Sequence, residues 1–214
     1  VTLTGPGGVG KTRLALEVVF ELLEGFEDGV WWVDLAPVSE ADLVVHAVAL
    51  ALGLPDDPGR AKAASLGELL QEKDLLLVLD NCEHLVGECA DLAGRLLSAV
   101  PTLRILAASR EPLGLESEVV WMVPPLPLPC QDETVTPELV TKSEAGQLFF
   151  QRAPAIRPSF EVSEPVARVV AQVCCRLEGI PLAIELAAAR VQVLTVPQIA
   201  AHLDDVFGLL TRPE

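Results

Sequence analysis

Residues 5–12 read Gly-Pro-Gly-Gly-Val-Gly-Lys-Thr: a glycine, four residues, then Gly10-Lys11-Thr12. Few short patterns constrain a fold as strongly. This is the spacing of a Walker A phosphate-binding loop, which has meaning only where a strand enters and a helix leaves. Both flanks fit. Val1-Thr2-Leu3-Thr4 is short, apolar and β-branched, which predicts a strand, and Arg13-Leu14-Ala15-Leu16-Glu17-Val18-Val19 predicts the opening of a helix. Glycines let the backbone turn without a Cβ clash, so its N–H groups can converge on phosphate oxygens. A helix beginning at Lys11 adds the positive end of its dipole. Lys11 can reach the β- and γ-phosphates as a point charge, and the Thr12 hydroxyl can ligate Mg²⁺.

The pattern of the next hundred residues agrees. Gly29–Asp34 predicts a second strand, Leu75–Leu79 a continuous apolar one, Leu103–Ala108 a fourth and Val119–Val123 a fifth. Between them, Glu40–Leu52 has helical spacing and ends at Gly53 and Pro55. A loop is expected over Asp56–Lys62. Ser65 is expected to cap a helix through Lys73, with Glu68 completing a capping box, and Leu85–Val100 to form a helix stopped by Pro101. Strands alternating with helices predict an α/β domain whose parallel sheet is covered on both faces.

Four prolines in Pro124–Pro129 then mark an extended linker, and no convincing strand follows. Ser143–Ala153, Glu164–Leu177, Leu182–Val191 and Pro197–Leu203 read as helices, with Pro165 and Pro197 suited to first turns. The expected organisation is a nucleotide-binding domain over 1–124, a Pro-rich linker over 125–142, a small all-α subdomain over 143–206, and the start of a further domain over 207–214. The chain carries neither an initiator Met nor a signal peptide and begins inside a strand. It is therefore expected to be a segment of a longer, cytoplasmic polypeptide.

A net charge of −16 argues against nucleic-acid binding by this segment, because phosphate contacts need Lys and Arg. No apolar run reaches a membrane span. Cys82, Cys89, Cys130, Cys174 and Cys175 show no C-x₂-C pairing and are expected as reduced thiols. His46, His84 and His202 are scattered and form no metal motif.

Other chemical positions sit at predicted strand ends. Asp80 closes the Leu75–Leu79 run in the manner of a Walker B carboxylate, placing Thr12 and Asp80 as the expected Mg²⁺ holders. Asn81 stands where many P-loop ATPases carry an acid; an amide can orient water but cannot take its proton. Glu83 is the nearest substitute, unless both residues merely cap the following helix. Arg110, after Ser109, could touch a γ-phosphate or lie on the surface, and Asp34 could face the ligand crevice or cap a turn. Gly179-Ile180-Pro181-Leu182 reads locally as a helix stop and restart.

Taken in order, GPGGVGKTRLALE, GVWWVDLAPV, LLLVLDNCEHL, LRILAASREPLGL, VPPLPL and GIPLAIELAAAR resemble the STAND class of signal-transduction ATPases. They look close to the NB-ARC modules, and the bacterial branch they resemble most is that of large transcriptional regulators with SARP-type or LuxR-type DNA-binding domains. The resemblance implies a sheet order of 2-3-4-1-5 and MgATP or ADP held by Gly10, Lys11, Thr12 and Asp80. It implies a γ-phosphate sensor at Arg110 and a proline, Pro181, packed on adenine. The candidate nucleotide-binding set is thus Gly5, Gly7, Gly8, Val9, Gly10, Lys11, Thr12 and Arg13 with Pro181 and Leu182. The candidate catalytic set is Lys11, Asp80, Asn81 and Arg110. The implied function is a slow ATPase switch. ADP holds its closed state and ATP an open, self-associating one, with winged-helix, sensor and DNA-binding domains elsewhere in the parent chain. Asn81 suits such a switch. The alternatives are an actively hydrolysing AAA+-like motor, a P-loop kinase, or a nucleotide-bound scaffold that never cycles.

Overall fold

Strands form where the sequence offers short aliphatic or β-branched runs: β1 Thr2–Thr4, β2 Val30–Asp34, β3 Leu76–Asp80, β4 Arg104–Ala108 and β5 Val120–Met122. The computed structural model describes residues 1–54, 63–129 and 135–210. The expected loop over Asp56–Lys62, Cys130 and the tail from Thr211 lie outside them. All four pairings are parallel, in the order β2-β3-β4-β1-β5, which is the order the family resemblance implied. Parallel strands need long crossovers, and these are the helices α1 Lys11–Leu22, α2 Leu43–Ala51, α3 Ala63–Leu70 and α4 Val86–Ala99.

β3 shows why the sheet must be covered twice. Its residues are buried at every position, Leu77 and Leu79 in the core that includes Leu92 and Leu96 of α4, Leu76 and Val78 in the core that includes Ala15 and Val19 of α1. Each such leucine contributes roughly 1.5–3 kcal/mol of burial. The outer strands β2 and β5 carry the chain's tryptophans, Trp31, Trp32 and Trp121. Because every strand runs the same way, the strand ends carrying residues 5–10, Asp34, Asp80 and Ser109-Arg110 lie along one rim of the sheet.

The chain divides into two units, Val1–Val123 and Pro124–Glu214. The second is helical among its described residues: α5 Pro137–Lys142, α6 Glu144–Ile156, α7 Glu164–Arg176, α8 Pro181–Ala189 and α9 Val196–Leu210. Phe149, fully buried, meets Phe150 edge-on at 6.2 Å between centroids and Phe160 at 6.3 Å. Val170, Cys174, Ile184 and Ile199 complete that core.

Several boundaries differ from expectation. Ser65 lies inside α3 rather than capping it, because Ala63 and Ala64, good helix formers, already belong to the helix. The helix ends at Leu70, short of Lys73, whose ammonium is drawn to Asp28 at 2.6 Å while the Asp74 amide donates to the same carboxylate at 2.9 Å. The stretch read as linker over 125–142 contains α5, whose first turn is capped by the Thr136 hydroxyl accepting from the Leu139 amide. Its proline-rich start is also tied down: the Leu126 amide donates to Gly179 O at 2.9 Å and Pro127 O accepts from the Ala145 amide at 3.3 Å. The boundary drawn at 206/207 falls within α9, so Phe207–Leu210 continue a helix.

Candidate phosphate-binding site

The loop after β1 does what its glycines allow. Gly8 and Gly10 take φ of 78° and 103°, the left-handed region where a side chain would be strained, and Gly10 is the N-cap of α1. The first helical bond runs from the Leu14 amide to Gly10 O at 2.9 Å. Val9 is the loop's apolar anchor, buried in the core beneath α1. Gly5 and Gly7 frame the loop's start, and Arg13 points to solvent from the first turn of α1.

Lys11 is buried, and its ammonium donates to Gly5 O at 2.9 Å and Pro6 O at 3.2 Å, closing the loop on itself. Burial lowers its pKa from the ordinary lysine value; Glu83 opposes that shift, Arg110 adds to it and Asp80 opposes it. Beside it, the Thr12 hydroxyl donates to Asp80 Oδ1 at 3.0 Å. The same Asp80 oxygen accepts the Asn81 amide at 3.0 Å. Asp80 is 4 % exposed, and burial raises its carboxyl above the usual range against these two hydrogen bonds, with Asp34 and Glu83 pushing further upward. A buried carboxylate facing a hydroxyl from the helix after a glycine loop is an oxygen pair suited to a hard divalent cation.

The residues after Asp80 split to two sides. Asn81 adopts a left-handed conformation, φ 61°, and its side-chain amide donates to Asp34 Oδ1 at 2.9 Å, at the end of the neighbouring β2. Asp34 also receives the Ala36 amide at 2.9 Å, so it both caps a turn and holds Asn81. Glu83, in the 3₁₀ turn Cys82–His84, instead pairs with Arg110, its Oε1 lying 3.3 Å from Arg110 Nε. Its Oε2 is buried without a hydrogen-bond partner. Arg110 lies across the loop: a Cβ on Gly7 would sit 3.7 Å from its guanidinium. The segment behind Arg110 is clamped by Glu118, which accepts the Leu113 and Gly114 amides at 2.8 Å each.

In the first unit the structure therefore brings together Lys11, Thr12 and Asp80, and sets Arg110 against Glu83 and Gly7. The Asp34–Asn81 bridge and the Glu118 clamp escaped sequence reading. Signals for them were the acid ending β2 in register with Asp80, and the acid following the Leu113-Gly114 turn. In the second unit, Gly179 has φ 70° and ends α7, while Pro181 opens α8 with Leu182 half-exposed behind it. Cys82, Cys89, Cys174 and Cys175 are free thiols, and burial pushes Cys174 up to about 12. Among the described residues no helix is long and apolar enough to cross a membrane.

Comparison with known proteins agrees with this geometry. Residues 1–86 match the NB-ARC domain family. A protein of Mycobacterium tuberculosis strain H37Rv named as an HTH-type transcriptional regulator is 45% identical over 210 residues, covering 98% of this chain and 22% of that protein. The regulatory protein AfsR of Streptomyces griseus is 33% identical over 214 residues, covering 95% of this chain and 20% of its own length. The chain thus spans about a fifth of each of these relatives. Among solved structures, a signal transduction ATPase with numerous domains (STAND), carrying a tetratricopeptide repeat sensor, from Pyrococcus horikoshii superposes with a TM-score of 0.54. It is 13% identical, over 96% of this chain and 30% of that one. At that identity the likeness is one of fold.

Proposed function

Since this chain belongs with the NB-ARC-like P-loop modules of the STAND class, we propose that it is the nucleotide-operated switch of a larger transcriptional regulator. The observation that carries the reading is the Thr12–Asp80 hydrogen bond, which joins the glycine loop's helix to the end of β3. Residues 5–12 fit a di- or triphosphate: the loop's amides and the N-terminus of α1 offer donors, and Lys11 supplies a fixed positive charge. Thr12 and Asp80 would hold Mg²⁺. Arg110 would report a terminal phosphate.

MgATP, when bound, supplies a phosphoanhydride that can be cleaved and a metal that neutralises its charge. The chain's own residues bind, orient and discriminate. A switch needs different affinities for ATP and ADP in its two states and slow conversion between them. Asn81, turned towards Asp34 and unable to act as a base, favours slow hydrolysis. DNA-binding, sensor and winged-helix domains would lie elsewhere in the parent protein, in the cytoplasm, with self-association in the ATP state.

The test is equilibrium binding of ATP and ADP with Mg²⁺, followed by steady-state turnover. The expected result is binding of both, its loss in Lys11→Ala, and turnover below about one per second, the low end of ordinary enzymes. Faster turnover would replace the switch by a working ATPase. Normal signalling by a parent regulator carrying Lys11→Ala would replace it by a scaffold.

A further inference from the structure

We propose that Asp34 is a positioning residue for the Mg²⁺ site: acting through Asn81, it fixes the direction in which Asp80 presents its carboxylate. The inference rests on the nucleotide-switch reading above and adds a residue outside its ligand set.

The ends of β2 and β3 are neighbours, with Asp34 in register with Asp80. Just beyond that pair, the end of β2 grips the Asp80–Asn81 segment at two points. The Leu35 amide donates to Asp80 O at 3.0 Å. Asp34 Oδ1 accepts the Asn81 side-chain amide at 2.9 Å. Leu35 is fully buried, so packing fixes the first point. The second depends on Asp34, whose Oδ1 is itself held by the Ala36 amide at 2.9 Å.

The grip bears on the carboxylate. The peptide that accepts from Leu35 through its carbonyl donates through its own N–H to Asp80 Oδ1, at 3.0 Å. That oxygen is also the one that takes the Thr12 hydroxyl. Turning the peptide would carry its N–H away from Oδ1 and free the carboxylate to rotate. Asn81 sits at φ 61°, a conformation that costs a non-glycine residue free energy unless its surroundings hold it there. The Asp34 bond is such a hold. A chain of hydrogen bonds therefore runs from Ala36 through Asp34, Asn81 and Asp80 to Thr12.

Carboxylates that bind metals are oriented by outer hydrogen bonds of this kind, and loss of one typically weakens metal binding about 10–100-fold. Asp34 is exposed and lies outside the core, so its side chain can be changed without opening a cavity.

The test measures ATP affinity of the 214-residue chain as Mg²⁺ is raised from chelator to saturation, with urea midpoints alongside. In Asp34→Ala, half-saturating Mg²⁺ should rise roughly tenfold. Affinity in chelator, which depends on residues 5–12, should stay within about twofold. Asp34→Asn keeps an oxygen acceptor in the same place and should bring the Mg²⁺ requirement back to within about threefold of wild type. Asn81→Gly keeps the positive φ, cuts the same link from its other end and should reproduce the Asp34→Ala shift, even if Asp34→Ala fails to fold. The double variant should be no worse than either single one, because both remove one connection.

An unchanged Mg²⁺ requirement in Asp34→Ala or Asn81→Gly, with a lowered urea midpoint, would reduce Asp34 to a turn cap and overturn the inference. A shift in Asp34→Asn as large as in Asp34→Ala would mean that the charge of Asp34 acts on the metal directly, and would overturn it too. Additive shifts in the double variant would do the same. Absence of nucleotide binding in the wild type would overturn the switch reading itself, and the inference with it.

Discussion

The Thr12 hydroxyl and the Asp80 carboxylate, 68 positions apart, share a hydrogen bond of 3.0 Å. Asp80 Oδ1 keeps the Asn81 amide when the hydroxyl is removed, so Thr12→Val should fold and lose only about 1 kcal/mol. Its nucleotide affinity should then no longer depend on Mg²⁺. Titration with and without a chelator measures this; an undiminished Mg²⁺ dependence would remove Thr12 from the metal site.

Asn81 combines a left-handed backbone with a side-chain bond to Asp34. Asn81→Gly keeps the first and loses the second, whereas Asn81→Val loses the second and forces a β-branched residue into the first, where φ is positive. Urea midpoints should rank wild type, then Gly, then Val, with Val about 2 kcal/mol below wild type. Equal loss in the two variants would mean that the backbone conformation carries no strain.

Gly179 is held by geometry as much as by sequence. At φ 70° it donates nothing to excess space: a methyl group would overlap the Leu126 carbonyl oxygen, which belongs to backbone and cannot swing away. Gly179→Ala should destabilise the helical unit by about 3 kcal/mol, strain and overlap together. Thermal melts followed by far-UV circular dichroism report it.

Arg110 is largely exposed, with an ion pair at 3.3 Å to Glu83. Arg110→Ala should leave the fold's stability within about 0.5 kcal/mol of wild type. If Arg110 senses a terminal phosphate, ATP affinity should fall roughly tenfold while ADP affinity holds. Parallel losses for both nucleotides would argue against a sensor.

Glu118 offers a pH test. Burial alone raises its carboxyl, but donors from Thr2, Leu113, Gly114 and Leu115 outweigh it and leave the group below the usual glutamate range. A depressed carboxylate contributes stability above its unfolded pKa, near ~4.3, and loses it as pH falls through the lower folded value. Wild-type protein should therefore lose more stability between about pH 5 and pH 3 than Glu118→Gln does. Matching acid profiles would show the clamp to be without effect.

How much of this was legible depended on what each signal was made of. The glycine loop, β3 and Asp80 are local patterns with a fixed spacing, and the structure has them where the sequence put them. The strand order followed from the family resemblance, since no local pattern states which strands are neighbours. The directions of Asn81 and Glu83 were not legible, because a single positive φ at a non-glycine residue turns the two side chains to opposite sides of β3. Helix α5 was hidden by its prolines, although Thr136 before Pro137 is a capping signal that could have revealed it. Ser65 misled because a capping residue is only a preference, and the alanines before it extend the helix as readily.

The placement of Trp31, Trp32 and Trp121 on the two outer strands has an optical consequence. The chain has no tyrosine, and the unit beginning at Pro124 has no tryptophan. Emission excited near 295 nm therefore comes from the sheet unit alone, and the helical unit is silent in that window. Nucleotide-induced changes at residues 5–12 can be followed by fluorescence without labels. A melt recorded only by fluorescence, however, would report half the molecule as though it were the whole.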